Sequence, residues 1–127
     1  MKILHLEDNP RDAVLVHDLL ASEWPECFIS VVATREDFVS LLKLGGYDLI
    51  ISDYQLPGFN GLDALEIVRE VAPETPFVFF SGTLGEESAI EAVRSGAADY
   101  VVKDRLQRLP MSVRRVLREA AERRSRH

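Results

Sequence analysis

The chain has 127 residues, of which 46% are hydrophobic and 28% are charged, and its formal net charge is −6. That length suits one domain with a substantial core, and no apolar run approaches the roughly 18 residues of a membrane-spanning helix. The acidic balance argues against direct binding of nucleic acid. The single cysteine, Cys27, excludes an internal disulfide and fits a reducing compartment. Because no signal peptide is visible, we expect one cytoplasmic domain over residues 1–127, with its core at about 2–120 and no membrane partner.

The charge is unevenly distributed along the chain. Residues 103–127 contain nine of the fifteen Lys and Arg residues and three acidic ones, so this segment carries +6 and the preceding part carries −12. We therefore expect an acidic body that ends in a basic helical tail over residues 121–127. The tail is expected to face a different partner from the rest of the domain.

Short apolar runs rich in branched residues alternate with segments whose apolar residues recur every three or four positions. The runs are typical of strands buried on both faces, and the periodic segments are typical of helices. Asn9 and Pro10 suit the start of the first helix, and Gly45-Gly46 suits the end of the second. The predicted strands lie at 2–7, 27–33, 49–53, 76–80 and 99–103, and the predicted helices at 10–22, 35–44, 62–72, 86–95 and from about 113 towards the C-terminus.

Five strands that alternate with five helices predict an α/β fold in which a parallel sheet has helices on both faces. Right-handed crossovers bring the carboxyl ends of the strands to one edge of the sheet, where ligands usually bind. Four of the five ends are polar, with complementary side chains: Glu7 and Asp8, Asp53, Ser81, and Lys103. We therefore expect a functional site at this edge.

The chemistry of these side chains favours phosphoryl transfer. Three carboxylates at one edge repel one another unless a cation balances them, and oxygen ligands at close range suit Mg²⁺. One divalent ion together with Lys103 balances the three acids. A carboxylate beside Mg²⁺ and a lysine can accept a phosphoryl group, and Asp53 is the candidate. The Ser81 hydroxyl and the backbone amides after Asp53 and Ser81 can donate to phosphoryl oxygens.

Structural interpretations of the same residues stay open at this point. Asp53 can simply begin a turn. The negative charges of Glu7 and Asp8 can interact favourably with the dipole of the helix that follows them. Lys103 can be a solvated loop residue, and Tyr100 can simply be packed. A nucleotide or flavin module is the rival function on this architecture, but the sequence lacks the glycine-rich dinucleotide fingerprint and the Gly-Lys-Ser/Thr phosphate loop. The G-x-S-x-G elbow of hydrolases is absent as well.

Four motifs resemble those of the response-regulator receiver domains of two-component signalling: E-D (7–8), D-x-x-L-P-G (53–58), S-G (81–82) and D-Y-x-x-K (99–103). They follow the family's order and spacing over roughly residues 2–120. The resemblance implies a flavodoxin-like, doubly wound sheet with strand order 2-1-3-4-5. It implies that Asp53 is the phosphoacceptor, Lys103 the family's lysine, Ser81 and Tyr100 the switch residues, and that Glu7, Asp8, Asp53 and the Gln55 backbone carbonyl hold Mg²⁺.

The resemblance also implies partners and a mode of action. The phosphoryl donor is expected to be a histidine kinase or a histidine phosphotransfer protein. Phosphorylation is expected to alter the surface of the fourth helix, the fifth strand and the fifth helix. Such a domain is a signalling module that catalyses only its own phosphorylation and autodephosphorylation. A receiver homodimer or an attached output domain is a further possible partner, and a degenerate receiver used only for docking is the alternative that the acidic residues and the lysine disfavour.

Three positions depart from the commonest pattern of the family. Glu7 stands where Asp is usual, Ser81 where Thr is frequent, and Asp104 follows Lys103 where many members have proline. The segment around them resembles receivers attached to sensor kinases, PAS-containing or cyclic-dinucleotide proteins, so a stand-alone receiver and part of a larger protein both stay open. We expect a trans Lys103–Asp104 peptide bond, because a cis bond before a non-proline residue costs about 2.5–4 kcal/mol.

Overall fold

The computed structural model describes residues 1–82 and 85–126. His127, the last residue of the predicted basic tail, lies outside the described residues. In chain order the elements are β1 (Lys2–Leu6), α1 (Pro10–Glu23), β2 (Phe28–Val32), α2 (Arg35–Leu44), β3 (Leu49–Ser52), β4 (Gln55–Leu56), β5 (Phe59–Asn60), α3 (Gly61–Val71), β6 (Phe77–Ser81), α4 (Glu86–Arg94), β7 (Asp99–Val102) and α5 (Arg108–Ser125).

Five of the strands form one parallel sheet in the order β2-β1-β3-β6-β7. Counted over these five strands alone, the order is 2-1-3-4-5, which confirms the predicted fold class. The first strand lies between the second and the third, so the direction of winding reverses there. The register pairs Leu6 of β1 with Ser52 of β3. The residues that follow these two strands therefore emerge side by side at the carboxyl edge, where an open α/β sheet binds ligands.

A hydrophobic core lies on each face of the sheet. Ile50 belongs to the cluster that includes Phe38 of α2 and Leu65 of α3. Its neighbour Ile51 belongs to the other cluster, with residues of α1 and α5 such as Val113. Successive side chains of a strand point to opposite faces, so a strand covered on both faces is apolar throughout its length. This arrangement explains the continuous apolar runs of β3 and β6.

The structure differs from the predicted elements mainly at their ends. The second strand is one residue shorter at each end than the predicted 27–33. The fifth strand of the main sheet ends at Val102, because Lys103–Arg105 form a turn of 3₁₀ helix before α5. The antiparallel hairpin of β4 and β5 was not predicted, since strands of two residues carry no periodicity. The Lys103–Asp104 bond is trans, as predicted, and the described part of the chain contains no cis peptide bond.

Gly61 allows α3 to begin directly against the carboxyl end of β3. A Cβ atom at this position would lie 2.4 Å from the backbone oxygen of Asp53 and 2.5 Å from the ring of Phe79. The Gly61 amide donates to the backbone oxygen of Tyr54 at 2.6 Å, and Asn60 caps the helix through the Asp63 amide at 3.0 Å. The helix start thereby fixes the backbone that carries Asp53. Among the helices described here, none has the length and apolar character needed to cross a membrane.

Candidate functional site

Three carboxylates meet where β1 and β3 end. Glu7 and Asp53 are buried, with 2% and 8% of their surface exposed, whereas Asp8 is exposed. One carboxylate oxygen from each of the three lies within 4.8 Å of the others. The backbone amide of Asp53 donates to the oxygen of Leu6 at 3.0 Å, so the parallel pairing of the two strands continues up to the acids. The predicted acidic cluster is therefore brought together by the sheet.

Asp53 is held from several sides by hydrogen-bond donors. Its Oδ1 accepts from Ser81 Oγ at 2.5 Å, from the Tyr54 amide at 2.7 Å and from the Gln55 amide at 3.4 Å. Its Oδ2 accepts from Lys103 Nζ at 2.9 Å. Burial opposes the charged carboxylate, but the bonds from Ser81 and Lys103 and the positive charge of Lys103 outweigh it, so the pKa of Asp53 is lowered. The carboxylate is therefore kept ionised in a partly dry environment.

Glu7 lies deepest in the cluster, with a side chain that is fully buried. Its Oε1 is 2.8 Å from Lys103 Nζ, and its Oε2 accepts from the Asn9 amide at 3.1 Å. Burial nevertheless dominates and raises the pKa of Glu7. A second cation near Glu7 would therefore stabilise its charged form, because the carboxylate has lost its water and Lys103 is close to it.

Lys103 is the positive group of the site. Its Nζ lies 2.8 Å from Glu7 Oε1, 2.7 Å from Asp12 Oδ2 and 2.9 Å from Asp53 Oδ2. Burial acts to lower the pKa of the ammonium group, but the bonds to Asp12, Glu7 and Asp53 and the charge of Glu7 act against it and raise the pKa. Lys103 is thus protonated and joins β1, β3 and α1 to the end of β7.

Asp12 is the residue of this site that the sequence analysis missed. It lies in the first turn of α1, four residues after Asp8 and three after the helix cap Asn9. The available signal was the position of the helix start: a helix that begins directly after an acidic strand end places its first turn over the same edge of the sheet. An acidic residue in the first turn of a helix is normally explained by its favourable interaction with the helix dipole. That explanation gave no reason to expect the contact of Asp12 with Lys103.

The two proposed switch residues occupy neighbouring positions with different surroundings. Ser81 ends β6, is 3% exposed and contacts Asp53 directly. The ring of Tyr100 lies 5.9 Å from that of Phe79 and 6.4 Å from that of Tyr54, measured between centroids. Burial raises the pKa of Tyr100 to about 12, and among the described residues its hydroxyl has no hydrogen-bond partner. Ser81 thus belongs to the acidic site, and Tyr100 to the aromatic cluster beside it.

Gln55 is exposed and lies two residues beyond Asp53, in strand β4. The contacts of its backbone amide with Asp53 and its pairing with Asn60 place it at the rim of the cluster. The metal contact expected from its carbonyl group stays a prediction. Taken together, the edge of the sheet presents an ionised aspartate with oxygen ligands on one side and N–H and O–H donors on the other. This arrangement suits acceptance of a phosphoryl group.

Comparison with known proteins agrees with this chemistry. A family model described as the response regulator receiver domain matches residues 3–114. The regulatory protein LuxO of Vibrio cholerae is 34% identical over 95 residues, which are 74% of this chain and 21% of LuxO. The cell cycle transcriptional regulator CtrA of Caulobacter vibrioides is 31% identical over 103 residues, which are 81% of this chain and 44% of CtrA. The chain therefore spans between about a fifth and less than half of these curated relatives.

Solved structures show the same architecture in short and in longer chains. The signal receiver domain of a putative LuxO repressor from Vibrio parahaemolyticus aligns with a TM-score of 0.86 at 25% identity, covering 96% of this chain and 93% of that one. NtrX from Brucella abortus aligns with a TM-score of 0.88 at 26% identity, covering 98% of this chain and 28% of NtrX. A CheY-like receiver domain protein from Methanospirillum hungatei, 20% identical with a TM-score of 0.85 and coverage of 96% and 97%, shares the fold.

Proposed function

The chain belongs to the response regulator receiver domain family of two-component signalling systems, and from that premise we propose that Asp53 is its phosphoacceptor. The observation that carries the proposal is the environment of the Asp53 carboxylate. It is buried, ionised and held by Ser81, Lys103 and the Tyr54 amide, beside two further acids at the open edge of the sheet. A nucleophile of this kind needs little more than a positioned donor and a means of neutralising charge.

Phosphorylation of Asp53 is a displacement at phosphorus. One carboxylate oxygen of Asp53 attacks the phosphoryl group of a phosphohistidine, a P–O bond forms and the P–N bond breaks. The bonding electron pair leaves with the imidazole ring, whose other nitrogen keeps its proton. The negative charge that the carboxylate gives up cancels the positive charge of the phosphorylated imidazolium ring, which leaves as neutral imidazole. The phosphoryl oxygens bring their own negative charge to Asp53, and the Lys103 ammonium and the Ser81 hydroxyl are placed to donate to them. Attack of water on the phosphorus of the acyl phosphate then breaks the P–O bond to Asp53, which releases inorganic phosphate and returns the free carboxylate.

We propose Mg²⁺ as the cofactor, held by Glu7, Asp8, Asp53 and the backbone carbonyl of Gln55. The residues fit the ion, because carboxylate and carbonyl oxygens are the ligands it prefers and the three carboxylates already lie within 4.8 Å of one another. The raised pKa of buried Glu7 is a further sign of a site that is short of positive charge. When bound, Mg²⁺ neutralises charge on the phosphoryl group during its transfer.

Membership of the family supports a proposal for the partners of the domain and for its location in the cell. The donor is a histidine kinase or a histidine phosphotransfer protein in the cytoplasm, and the phosphorylated domain acts through the surface of α4, β7 and α5. That surface meets an output domain, a second receiver or another protein. LuxO, CtrA and NtrX are each much longer than this chain, which supports a receiver that works as one domain of a regulatory protein.

Incubation with acetyl phosphate, with and without Mg²⁺, followed by intact-mass measurement tests the assignment. We expect the mass of one phosphoryl group to be added to the wild type only when Mg²⁺ is present, and not to Asp53→Asn. Asp48→Asn is the matched control, because it removes a carboxylate from an exposed position at the other end of β3. Equal labelling of Asp53→Asn and wild type would reject the phosphoacceptor, and absence of labelling in wild type would favour a docking module.

A further inference from the structure

Lys103 has one carboxylate partner more than its role requires. Two of its partners, Glu7 and Asp53, belong to the proposed metal and phosphoryl set. The third, Asp12, is the shortest of the three contacts, with 2.7 Å between its Oδ2 and Nζ. From this contact we infer that Asp12 is a positioning residue, which holds the Lys103 ammonium group at the site while its other partners change. The inference rests on the proposed function of Asp53.

Lys103 Nζ donates hydrogen bonds to Asp12 and Asp53 and forms an ion pair with Glu7. An ammonium group carries three N–H donors, and the three carboxylates lie 2.7–2.9 Å from it. Lys103 has a flexible four-carbon stem, so the position of its charge is set by what the ammonium group contacts. Three carboxylate contacts together hold Nζ in one position. If the contact with Asp12 is lost, the ammonium group can rotate about the line that joins its contacts with Glu7 and Asp53.

Asp12 is itself held in place, which makes it a useful anchor. The side chain of Asn9 accepts hydrogen bonds from the amides of Arg11 and Asp12 at 2.9 and 3.3 Å, and Pro10 occupies the first helical position. The start of α1 is therefore fixed, and with it the backbone of Asp12. The Asp12 side chain is 25% exposed and that of Lys103 18%, so the pair is partly shielded from water. A shielded, well-placed pair keeps more of its energy than a surface ion pair.

The charges of the other two partners change during signalling, and that of Asp12 does not. Glu7 and Asp53 are expected to contact the metal ion when it binds. The Asp53 carboxylate loses its negative charge when it forms the acyl phosphate, and the phosphoryl group brings its own negative charge to the site. Lys103 must then turn one donor from Asp53 to a phosphoryl oxygen. Asp12 lies outside the proposed ligand set, so its bond to Nζ can persist through both events. It thereby keeps the ammonium group within reach of the transferred group.

Three variants separate this role from a general effect of charge. Asp12→Ala removes the acceptor. Asp12→Asn removes the charge but leaves an amide oxygen that can accept the same hydrogen bond. Asp18→Asn is the matched control: it makes the same charge change on the same helix, at a side chain that is 72% exposed.

Two readouts are recorded on each protein. The first is the exchange of the Lys103 ammonium protons with water, followed by ¹H–¹⁵N NMR; the chain has three lysines, and Lys103→Arg assigns the signal. The second is the initial rate of phosphorylation at saturating Mg²⁺ as a function of acetyl phosphate concentration, which separates the maximal rate from binding. The amide spectrum of the same samples reports whether each variant is folded.

In wild type we expect a slowly exchanging Lys103 ammonium signal. Asp12→Ala should lose this signal and phosphorylate roughly three- to tenfold more slowly at saturation, since a displaced catalytic group costs rate. Asp12→Asn should keep the signal and a rate within about twofold of wild type, because its oxygen preserves the hydrogen bond. Asp18→Asn should match wild type in both readouts.

The inference is overturned by either of two results. One is an Asp12→Ala protein whose ammonium signal and maximal rate equal those of wild type. The other is an Asp12→Asn protein as slow as Asp12→Ala, because the charge and not the hydrogen bond would then matter. If wild type itself is not phosphorylated, the proposed function fails. The ammonium exchange still decides whether Asp12 holds Lys103.

Discussion

At the scale of single residues, Tyr100 is a side chain whose pKa is raised by the fold. Its hydroxyl group is buried without a partner among the described residues, and burial raises its pKa to about 12. The ordinary pKa of tyrosine is about 10. In the unfolded chain the phenol therefore ionises first, so the folded state loses stability as the pH rises from about 10 to about 12. At neutral pH both states are protonated and the group contributes no pH dependence.

We predict that Tyr100→Phe removes this alkaline loss of stability. At pH 8 the variant should be as stable as wild type or slightly more stable, because it removes a buried hydroxyl that lacks a partner. At pH 11 the variant should gain about 1 kcal/mol relative to wild type, since only the wild type has a phenol to ionise on unfolding. Urea unfolding of both proteins at the two pH values measures this difference. The same difference at both pH values would contradict the prediction.

The positions of some site residues could be predicted from the sequence, and those of others could not. Glu7, Asp53, Ser81 and Lys103 each follow or end a strand, and the carboxyl ends of parallel strands meet at one edge, so their proximity was predictable. Asp12 was not, because its contact with Lys103 depends on the tilt and the exact start of α1 over the sheet. Nor could the sequence show which way the ring of Tyr100 points, since aromatic residues in a short strand can face either side.

At the scale of elements, the junction between β3 and α3 determines where Asp53 lies. The α/β alternation and the helices on both faces of the sheet followed from the periodicity of the apolar residues, and the strand order followed from the resemblance to receiver domains. The hairpin of β4 and β5 and the 3₁₀ turn at Lys103–Arg105 did not, because segments of two or three residues are stabilised by their neighbours and not by a pattern of their own. Gly61 directly follows the hairpin of β4 and β5 and begins α3. A residue with a Cβ atom would not fit at this position.

We predict that Gly61→Ala disturbs the site through this junction. The new Cβ would overlap the backbone oxygen of Asp53 and the ring of Phe79, so the start of α3 would have to move away from β3. Overpacking of this kind costs about 1–3 kcal/mol of unfolding free energy. We also expect slower phosphorylation by acetyl phosphate, because Asp53 and the Tyr54 amide would move apart from Lys103.

Gly85→Ala is the matched control for this substitution. Gly85 caps α4, and a Cβ atom there has no neighbour among the described residues within 4 Å. Urea unfolding and the initial rate of phosphorylation are measured for both variants and for wild type. An unchanged stability and rate in Gly61→Ala would show that the junction can yield without moving Asp53.

At the scale of the whole molecule, the site and the proposed output surface are joined through β7. Asp99 accepts hydrogen bonds from the Tyr100 amide at 2.8 Å and from Ser112 Oγ at 2.6 Å, and it lies 3.0 Å from the guanidinium group of Arg115. Ser112 and Arg115 belong to α5. A movement of the backbone around Tyr100 would therefore change the contacts that the Asp99 carboxylate makes with α5. The exposed side chains of Ile90, Val93 and Met111 lie on α4 and α5, where a partner would contact them.

The basic character of the last helix is partly used within the domain. Arg115 pairs with Glu119 of the same helix, with 2.8 Å between Nη1 and Oε1, and Arg114 binds Glu23 of α1. The Arg114–Glu23 and Arg115–Asp99 contacts hold α5 against α1 and β7 and leave other arginines of the helix at the surface. The acidic cluster of Glu7, Asp8 and Asp53 lies at the carboxyl edge of the sheet, whereas these arginines lie along α5. A phosphoryl group and a partner of α5 would act on different faces of the same domain.

We predict that a phosphoryl mimic at Asp53 changes the environment of β7, α4 and α5. In the structure Ser81 already contacts Asp53 and the Tyr100 ring already packs inward, so we expect the mimic to shift a population of conformers towards this arrangement. Backbone amide shifts recorded with and without beryllofluoride and Mg²⁺ should then change around Asp53, at Tyr100 and within residues 86–118. Ser81→Ala removes the hydroxyl that links the sites, so in this variant the shifts should stay near Asp53. Shifts confined to the loops around Asp53 in wild type, or equally extensive shifts in Ser81→Ala, would exclude Ser81 as the connection between the two faces.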